Sequence, residues 1–371
     1  MKIVIFGLSI TSSWGNGHAT TYRGLVRELA KLGHEILFLE RDVPWYATSR
    51  DLPSPPYCRT VLYNSVDLLL SDYGREIIEA DCVIVGSYVP DGIEIGRWVT
   101  RKAKGITAFY DIDTPVTLAK LERGDCEYLN PELIPIYRLY LSFTGGQILE
   151  RIREQYGARE AVPLYCSVDP EVHYPMQQPA RWDLGYLGTY STDRQSPLER
   201  MLCETANLWK EGRFVVAGAQ YPAGIAWPDN MKHIEHLPPE QHRDFYSAQR
   251  FTLNITRKYM IQAGYSPSVR LFEAAACAVP VISDQWPGIE EFFIPGEEIL
   301  LASTAEEVLG YLRELSDEDR QAMGQRARKR VLRSHTAGRR ATELLNYIAG
   351  CEQFRSKLPL SGGTHYGLCR F

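Results

Sequence analysis

Nothing in these 371 residues offers a bilayer, a polyanion or a disulfide framework an obvious hold. No run of about 18 apolar residues exists to span a membrane, and the apolar opening from Lys2 to Leu8 is too short for a signal-peptide core with a cleavage site. Positive charge is also in short supply. Lys and Arg number 41 against 46 Asp and Glu, a net charge of -5, so no global field draws nucleic acid. Eight cysteines stand singly, with no C-x-x-C and no zinc-ligand spacing, and read as reduced thiols in a cytoplasmic protein. Solenoid repeats and low-complexity tracts are missing as well.

What is present is an alternation of strand-length apolar runs with helical stretches, the pattern of parallel sheets with crossover helices. One series runs through Ile3–Phe6, Ile36–Leu39, Cys82–Val85 and Thr107–Tyr110, with Tyr22, Leu25, Val26, Leu29 and Leu32 on one face of a helix between the first two. A second runs through Leu184–Leu187, Phe214–Ala217, Phe251–Asn254 and Val279–Ile282. The polar, proline-bearing stretch after Cys166 separates them as a linker. Glu306 to Leu315 and Asp317 to Ile348 read as closing helices, with Gly350 as a stop and a loop-like tail from Ser361. The fold class is α/β with two sheets.

Gly15, Asn16, Gly17 and His18 stand between the first strand and first helix, where backbone amides and the positive helix end can face a polar ligand. A dinucleotide fingerprint is the rival reading, with Glu40 gripping a ribose. Thr20 holds its third glycine position, however, and Leu8 to Trp14 separate strand from glycines. His18 beside a helix N-terminus stays neutral near pH 7 and can take a proton from a hydroxyl. Asp111-Ile112-Asp113 ends the fourth strand of the first series, where catalytic groups collect in open α/β sheets. The same tripeptide has the form of a metal-diphosphate trap, or of a helix cap before Pro115.

The densest signal is Asn254-Ile-Thr-Arg257-Lys258 followed by Gly264-Tyr265-Ser266-Pro267-Ser268-Val269-Arg270-Leu271-Phe272-Glu273 and Ala274 to Asp284. A strand, a polar loop, a short helix with one acid and another strand build a nucleotide pocket at the carboxyl ends of a sheet. Arg257, Lys258 and Arg270 can balance a diphosphate, Ser266 and Ser268 can donate to it, and Glu273 suits two ribose hydroxyls.

This block resembles the donor-binding region of GT-B glycosyltransferases, and its serine-rich form, together with Ser334-His335-Thr336 and Arg339-Arg340, is similar to the CgeB-like, spore-maturation-type group. The resemblance implies two Rossmann-like domains facing each other across a cleft: an acceptor domain over 1–168, a donor domain over 169–335, and a C-terminal helix over 336–371 returning to the first domain. It further implies transfer of a sugar from a UDP-, GDP- or dTDP-linked donor to a glycan, lipid-linked or small-molecule acceptor, without a metal or other cofactor. Gly188, Thr189 and Arg194 would hold phosphates, Gly15, Asn16 and Gly17 the acceptor, and His18 or Asp113 would be the base. Retaining relatives carry a further glutamate where this chain has Tyr265, so the resemblance does not fix the stereochemical outcome.

From Arg320 to Thr342 lie eight basic residues and no acid. Arg326, Arg330 and Arg333 share a helical face that could rest on anionic lipid at the inner face of a cell membrane, or be a solvated helix end. A nucleotide-sugar epimerase on the same fold and a non-catalytic nucleotide-sugar-binding protein are the alternative functions.

Overall fold

The computed structural model describes residues 1–14 and 17–357, with side chains through Cys351. Gly15, Asn16 and the tail from Ser361 lie outside the described residues. Seven strands make the first sheet: β1 (Lys2–Gly7), β2 (Glu35–Arg41), β3 (Arg59–Tyr63), β4 (Cys82–Gly86), β5 (Ile106–Asp111), β6 (Leu139–Ser142) and β7 (Ala161–Pro163). Six make the second: β8 (Trp182–Leu187), β9 (Phe214–Ala217), β10 (Met231–Ile234), β11 (Gln249–Asn254), β12 (Val281–Ser283) and β13 (Leu300–Leu301).

The sheet orders are β3-β2-β1-β4-β5-β6-β7 and β10-β9-β8-β11-β12-β13, with every pair parallel. Both therefore reverse direction beside their first strand. In the first, Ile5 pairs with Phe38 and Ile84; in the second, Leu184 pairs with Phe214 and Phe251. A crevice opens at such a reversal, outside the carboxyl ends of the two central strands. The strand runs legible in the sequence are these central, doubly covered ones. Those it did not reveal, β3, β6, β7, β10 and β13, have two to five residues, too few for a periodic signal.

The first helix, His18–Lys31, buries Tyr22, Leu25, Val26 and Leu29 as expected, but Leu32 is 54% exposed at its end, beyond the apolar face. The expected closing stretch is two helices, Asp317–Ser334 and Ala337–Lys357, and the second runs through Gly350 rather than stopping there. Gly350 is tolerated because a lone glycine weakens a helix by only about 1 kcal/mol. Ala341, Leu344, Ile348 and Cys351 of this last helix share a core with Tyr22, Leu25 and Leu29, so the chain ends on the first sheet.

Between the sheets the chain crosses twice, and the two crossings are stapled together. Val168 N donates to His335 O at 3.0 Å and Ala337 N donates to Val168 O at 3.0 Å. Arg340, 3% exposed, donates to Tyr165 O at 3.0 Å, to Glu343 at 2.9 Å and to His335 Nδ1 at 2.9 Å. His335 in turn stacks on Phe272 at 4.6 Å, and burial lowers its pKa to about 3, so it stays neutral and can accept from Arg340.

The basic helix engages part of its expected face within the protein. Arg326 donates to Glu297 O at 2.8 Å, Arg330 pairs with Glu298, and Arg328 donates to Ala276 O at 3.2 Å. Two backbone carbonyls and a carboxylate of the second domain engage these side chains, while Arg326 and Arg333 remain exposed.

Candidate active site in the cleft

At the crevice between β8 and β11 lies a recess of about 220 Å³ lined by Thr189, Arg194, Arg257, Ser268 and Arg270 among others. Each residue arrives from the loop after a strand or the first turn of the helix that follows it, which is why positions far apart in sequence converge. Arg194 is 6% exposed, donates to Thr189 O at 2.6 Å, and leaves its buried Nε without a partner. Burial and the neighbouring Arg270 lower its pKa. Arg270 lies over the Tyr186 ring at 5.4 Å and Arg257 donates to Tyr259 at 2.8 Å. Among the described residues none of the three guanidiniums has a carboxylate within 4.0 Å. Three cations gathered with no carboxylate in close ion-pair contact suit an anion of high charge, and a diphosphate has that charge.

The loop carrying Arg257 is fixed from below. Thr256 donates to Asp284 through both its amide, at 2.9 Å, and its hydroxyl, at 2.7 Å, while Asn254 Nδ2 donates to Ser283 at 2.9 Å. Ser268 heads the helix Val269–Ala276 without spending its hydroxyl on a cap, so the side chain stays available at a positive helix end. Gly188 is held by its amide to Ala217 O at 2.8 Å, and the opposing Gly218 is tight: a Cβ there would meet Gly188 O at 2.0 Å.

Three expected donor residues lie elsewhere. Lys258 is exposed and outside the recess; only its backbone amide is engaged, at 2.9 Å from Asp193. Ser266 is buried and its hydroxyl lies 3.0 Å from that of Thr144 in the first domain, so it joins the domains rather than facing the arginines. Glu273 does not line the recess. Its carboxylate receives the Tyr246 hydroxyl at 3.2 Å and faces His173 at 3.8 Å and His242 at 4.0 Å. Burial lowers the His242 pKa.

Across the cleft, the first domain's own reversal point assembles a second cluster. His18 leaves its buried Nδ1 without a partner among the described residues, meets Tyr88 edge-on at 5.5 Å, and burial lowers its pKa to about 4. Asp113 precedes the helix Thr114–Glu122 but its side chain does not cap it; Tyr88 donates to it instead, at 3.3 Å. Burial raises the Asp113 pKa, against the pull of Arg257 from the second domain, the Tyr88 bond and Lys120. Asp111 is different: fully buried, it receives Tyr140 and Thr117, the latter at 2.7 Å. It braces the strand end and also accepts from Asp113 N at 3.3 Å.

Tyr88 and Lys120 were not singled out in the sequence. Tyr88 has φ 60, a strained backbone for a tyrosine, just past the end of β4, and Lys120 lies over its ring at 5.2 Å. Position after a central strand was the signal that could have found Tyr88.

Glu40 settles the dinucleotide question. Its buried carboxylate accepts from Ser9 Oγ at 3.1 Å, Ile10 N at 2.7 Å, Thr11 N at 3.0 Å and Thr11 Oγ1 at 2.6 Å. Committed to the loop after β1, it has no capacity left for a ribose. A further recess of about 210 Å³ beside Lys2, His34 and Arg59 opens at the amino ends of β1 and β2, away from the strand ends where ligands of open sheets bind.

Comparison with known proteins agrees with this geometry. Residues 194–346 match the family described as Glycosyl transferase-like. No curated relative matches the chain. Among solved structures, sucrose-phosphate synthase from Thermosynechococcus elongatus is similar at TM-score 0.68 and 14% identity, covering 96% of this chain and 100% of that one. HepE of Anabaena in complex with UDP gives TM-score 0.69 at 12% identity over 94% of this chain and 100% of its own. The DNA-modifying enzyme β-glucosyltransferase gives 0.65 at 13% over 94% and 100%. The chain thus has the two-domain GT-B fold of glycosyltransferases, with a glycosyl transferase-like segment supplying most of its second domain.

Proposed function

We propose that this protein is a glycosyltransferase that moves a sugar from a nucleoside diphosphate sugar to an acceptor hydroxyl bound by the first domain. The observation that carries the reading is the group of Arg194, Arg257 and Arg270, three cations without a carboxylate partner around one recess at the β8/β11 reversal. UDP is the first nucleotide to test, since the HepE and β-glucosyltransferase structures were determined with UDP or uridine diphosphoglucose. Division of the chain near 168 and 335 is part of the same reading, supported by the Val168–Thr336 bridge where both crossings meet.

In the reaction, the acceptor oxygen forms a bond to the anomeric carbon and gives its proton to Asp113. The bond from that carbon to the diphosphate oxygen breaks, and the electron pair leaves with the diphosphate. Negative charge grows on that oxygen, where the guanidiniums and the free Ser268 hydroxyl stabilise it in place before the reaction starts. Asp113 is favoured over His18 as base because its carboxylate lies at the strand end on the cleft side, within the pull of Arg257 from the second domain, and burial pushes its pKa up. No metal is given a role in this step. Gly17 and His18 line the acceptor side, and Glu273, behind the recess, is the residue for the ribose. A lipid-linked acceptor would be met through the exposed Arg326 and Arg333 of the basic helix.

The test is release of the matching nucleoside diphosphate from a panel of UDP-, GDP- and dTDP-sugars with acceptor sugars, followed in wild type and Arg270→Ala. Acceptor-dependent release that collapses in the variant supports transfer. Conversion of the donor sugar with no acceptor present would instead show an epimerase, and donor binding without turnover a binding protein.

A further inference from the structure

Behind the donor recess, three elements bring His173, His242 and Glu273 together, with one ligating atom from each lying within 4.8 Å of the others. His173 comes from the crossing segment, where its amide donates to Asp169 O at 2.9 Å and Asp169 pairs with Arg27 of the first helix at 2.5 Å. His242 begins the helix His242–Ser247, and Glu273 lies within Val269–Ala276.

The hydrogen bonding around the group is incomplete in a specific way. His173 is 6% exposed and neither ring nitrogen has a hydrogen-bond partner among the described residues. His242 Nε2 lies 3.3 Å from Leu237 O, which only accepts, so Nε2 carries the hydrogen and Nδ1 turns a lone pair toward Glu273 Oε2 at 4.0 Å. A neutral imidazole lone pair facing a carboxylate is repulsive unless a proton or a metal cation lies between them. An imidazole whose second nitrogen is tied to a backbone carbonyl is also the arrangement that orients metal-bound histidines. Two imidazoles and a carboxylate form a donor set for a borderline-soft divalent ion with an open fourth position. His242, with 20% of its side chain exposed, marks the way in.

We propose that His173, His242 and Glu273 form a binding site for a divalent transition metal of the zinc class. The contraction required is small: tetrahedral bonds of about 2.1 Å set neighbouring ligand atoms about 3.4 Å apart, against 3.8 Å from His173 Nε2 and 4.0 Å from His242 Nδ1 to Glu273. A bound ion stands apart from the transfer chemistry. It occupies the carboxylate assigned above to the ribose, so metal and nucleotide exclude one another there; this competition, unlike the site itself, rests on the proposed function.

The full chain, stripped with EDTA and gel-filtered, is titrated with Zn²⁺ against a chromophoric chelator and with Co²⁺ by visible absorption. The expected result is one zinc per chain and a tetrahedral cobalt spectrum, with affinity lowered at least about tenfold in each of His173→Ala and His242→Ala while far-ultraviolet circular dichroism is unchanged. Should either variant lose its fold, His173→Gln and His242→Gln provide the comparison. Wild-type protein that retains no zinc, or zinc binding that survives both substitutions, overturns the site. Zinc binding that UDP leaves unweakened upholds the site and removes Glu273 from the ribose. UDP binding with no zinc binding does the reverse.

Discussion

The ring of Tyr265, in the second domain, lies against the bare Cα of Gly146 in the first, where a Cβ would stand 2.2 Å from Tyr265 Cδ2. On its other side Gly288 is equally close, its Cβ position 2.4 Å from Tyr265 Cδ1. Gly145 N donates to Tyr265 O at 2.9 Å, and the Thr144–Ser266 hydroxyl contact lies alongside. Tyr265 stands where retaining relatives of the resembled family carry a glutamate, and here the position joins the domains.

Gly146→Ala should therefore loosen that junction. Gly146 has φ +58, so alanine adds backbone strain to the clash, and a loss of about 2 kcal/mol is expected. Thermal unfolding measures the loss, and small-angle scattering should show a more open molecule. An unchanged melting temperature and radius would mean that Tyr265 does not hold the domains.

Arg257→Ala and Arg270→Ala should each lower the transfer rate roughly ten- to hundredfold, because a charge-assisted hydrogen bond is worth about 1.5–3 kcal/mol. Neither has a carboxylate partner among the described residues, so stability should change little. Parallel steady-state kinetics and melting curves check both halves; a fall in melting temperature without a fall in kcat would assign them to the fold.

Asp113→Asn should reduce kcat/KM by about two to four orders of magnitude, the usual worth of a general base. In wild type, kcat/KM should fall as pH drops through the Asp113 pKa, which burial places above the ordinary carboxylate range. His18→Ala should leave that acid limb in place. An acid limb that persists in Asp113→Asn would transfer the role to another group.

Asp111 links stability to pH with the opposite sign from a salt-bridged carboxylate. Burial raises its pKa to about 7, though the Tyr140 and Thr117 bonds oppose the shift. The folded state thus holds a proton that the unfolded chain, with an ordinary carboxyl pKa of about 3.9, releases. Its stabilising contribution is complete below about pH 4 and is lost as pH rises to about 7. Urea unfolding between these limits should show a downward slope that Asp111→Asn flattens.

Glu40→Ala should cost about 3 kcal/mol, since it removes a buried carboxylate and strands the Ile10 and Thr11 amides. Hydrogen exchange of those two amides reports the damage directly. Slow exchange in the variant would show that the loop after β1 does not depend on Glu40.

Central strands were readable in the amino-acid order because each is largely apolar on both faces, and β1 kept that run from Ile3 to Phe6 without interruption. The arginine-bearing loop after β11 was readable too, since Arg257, Ser268 and Arg270 lie within one strand-loop-helix unit. Local sequence also specified the first helix, through Tyr22, Leu25, Val26 and Leu29. Side-chain direction across the cleft was decided by tertiary structure alone. Whether Ser266 faces a phosphate or Thr144, whether Glu273 faces the recess or two histidines, and whether Arg326 and Arg330 face lipid or the loop at 297–298 depends on partners far away in the chain. Periodicity records which face of an element is buried, but not which distant group has reached it first.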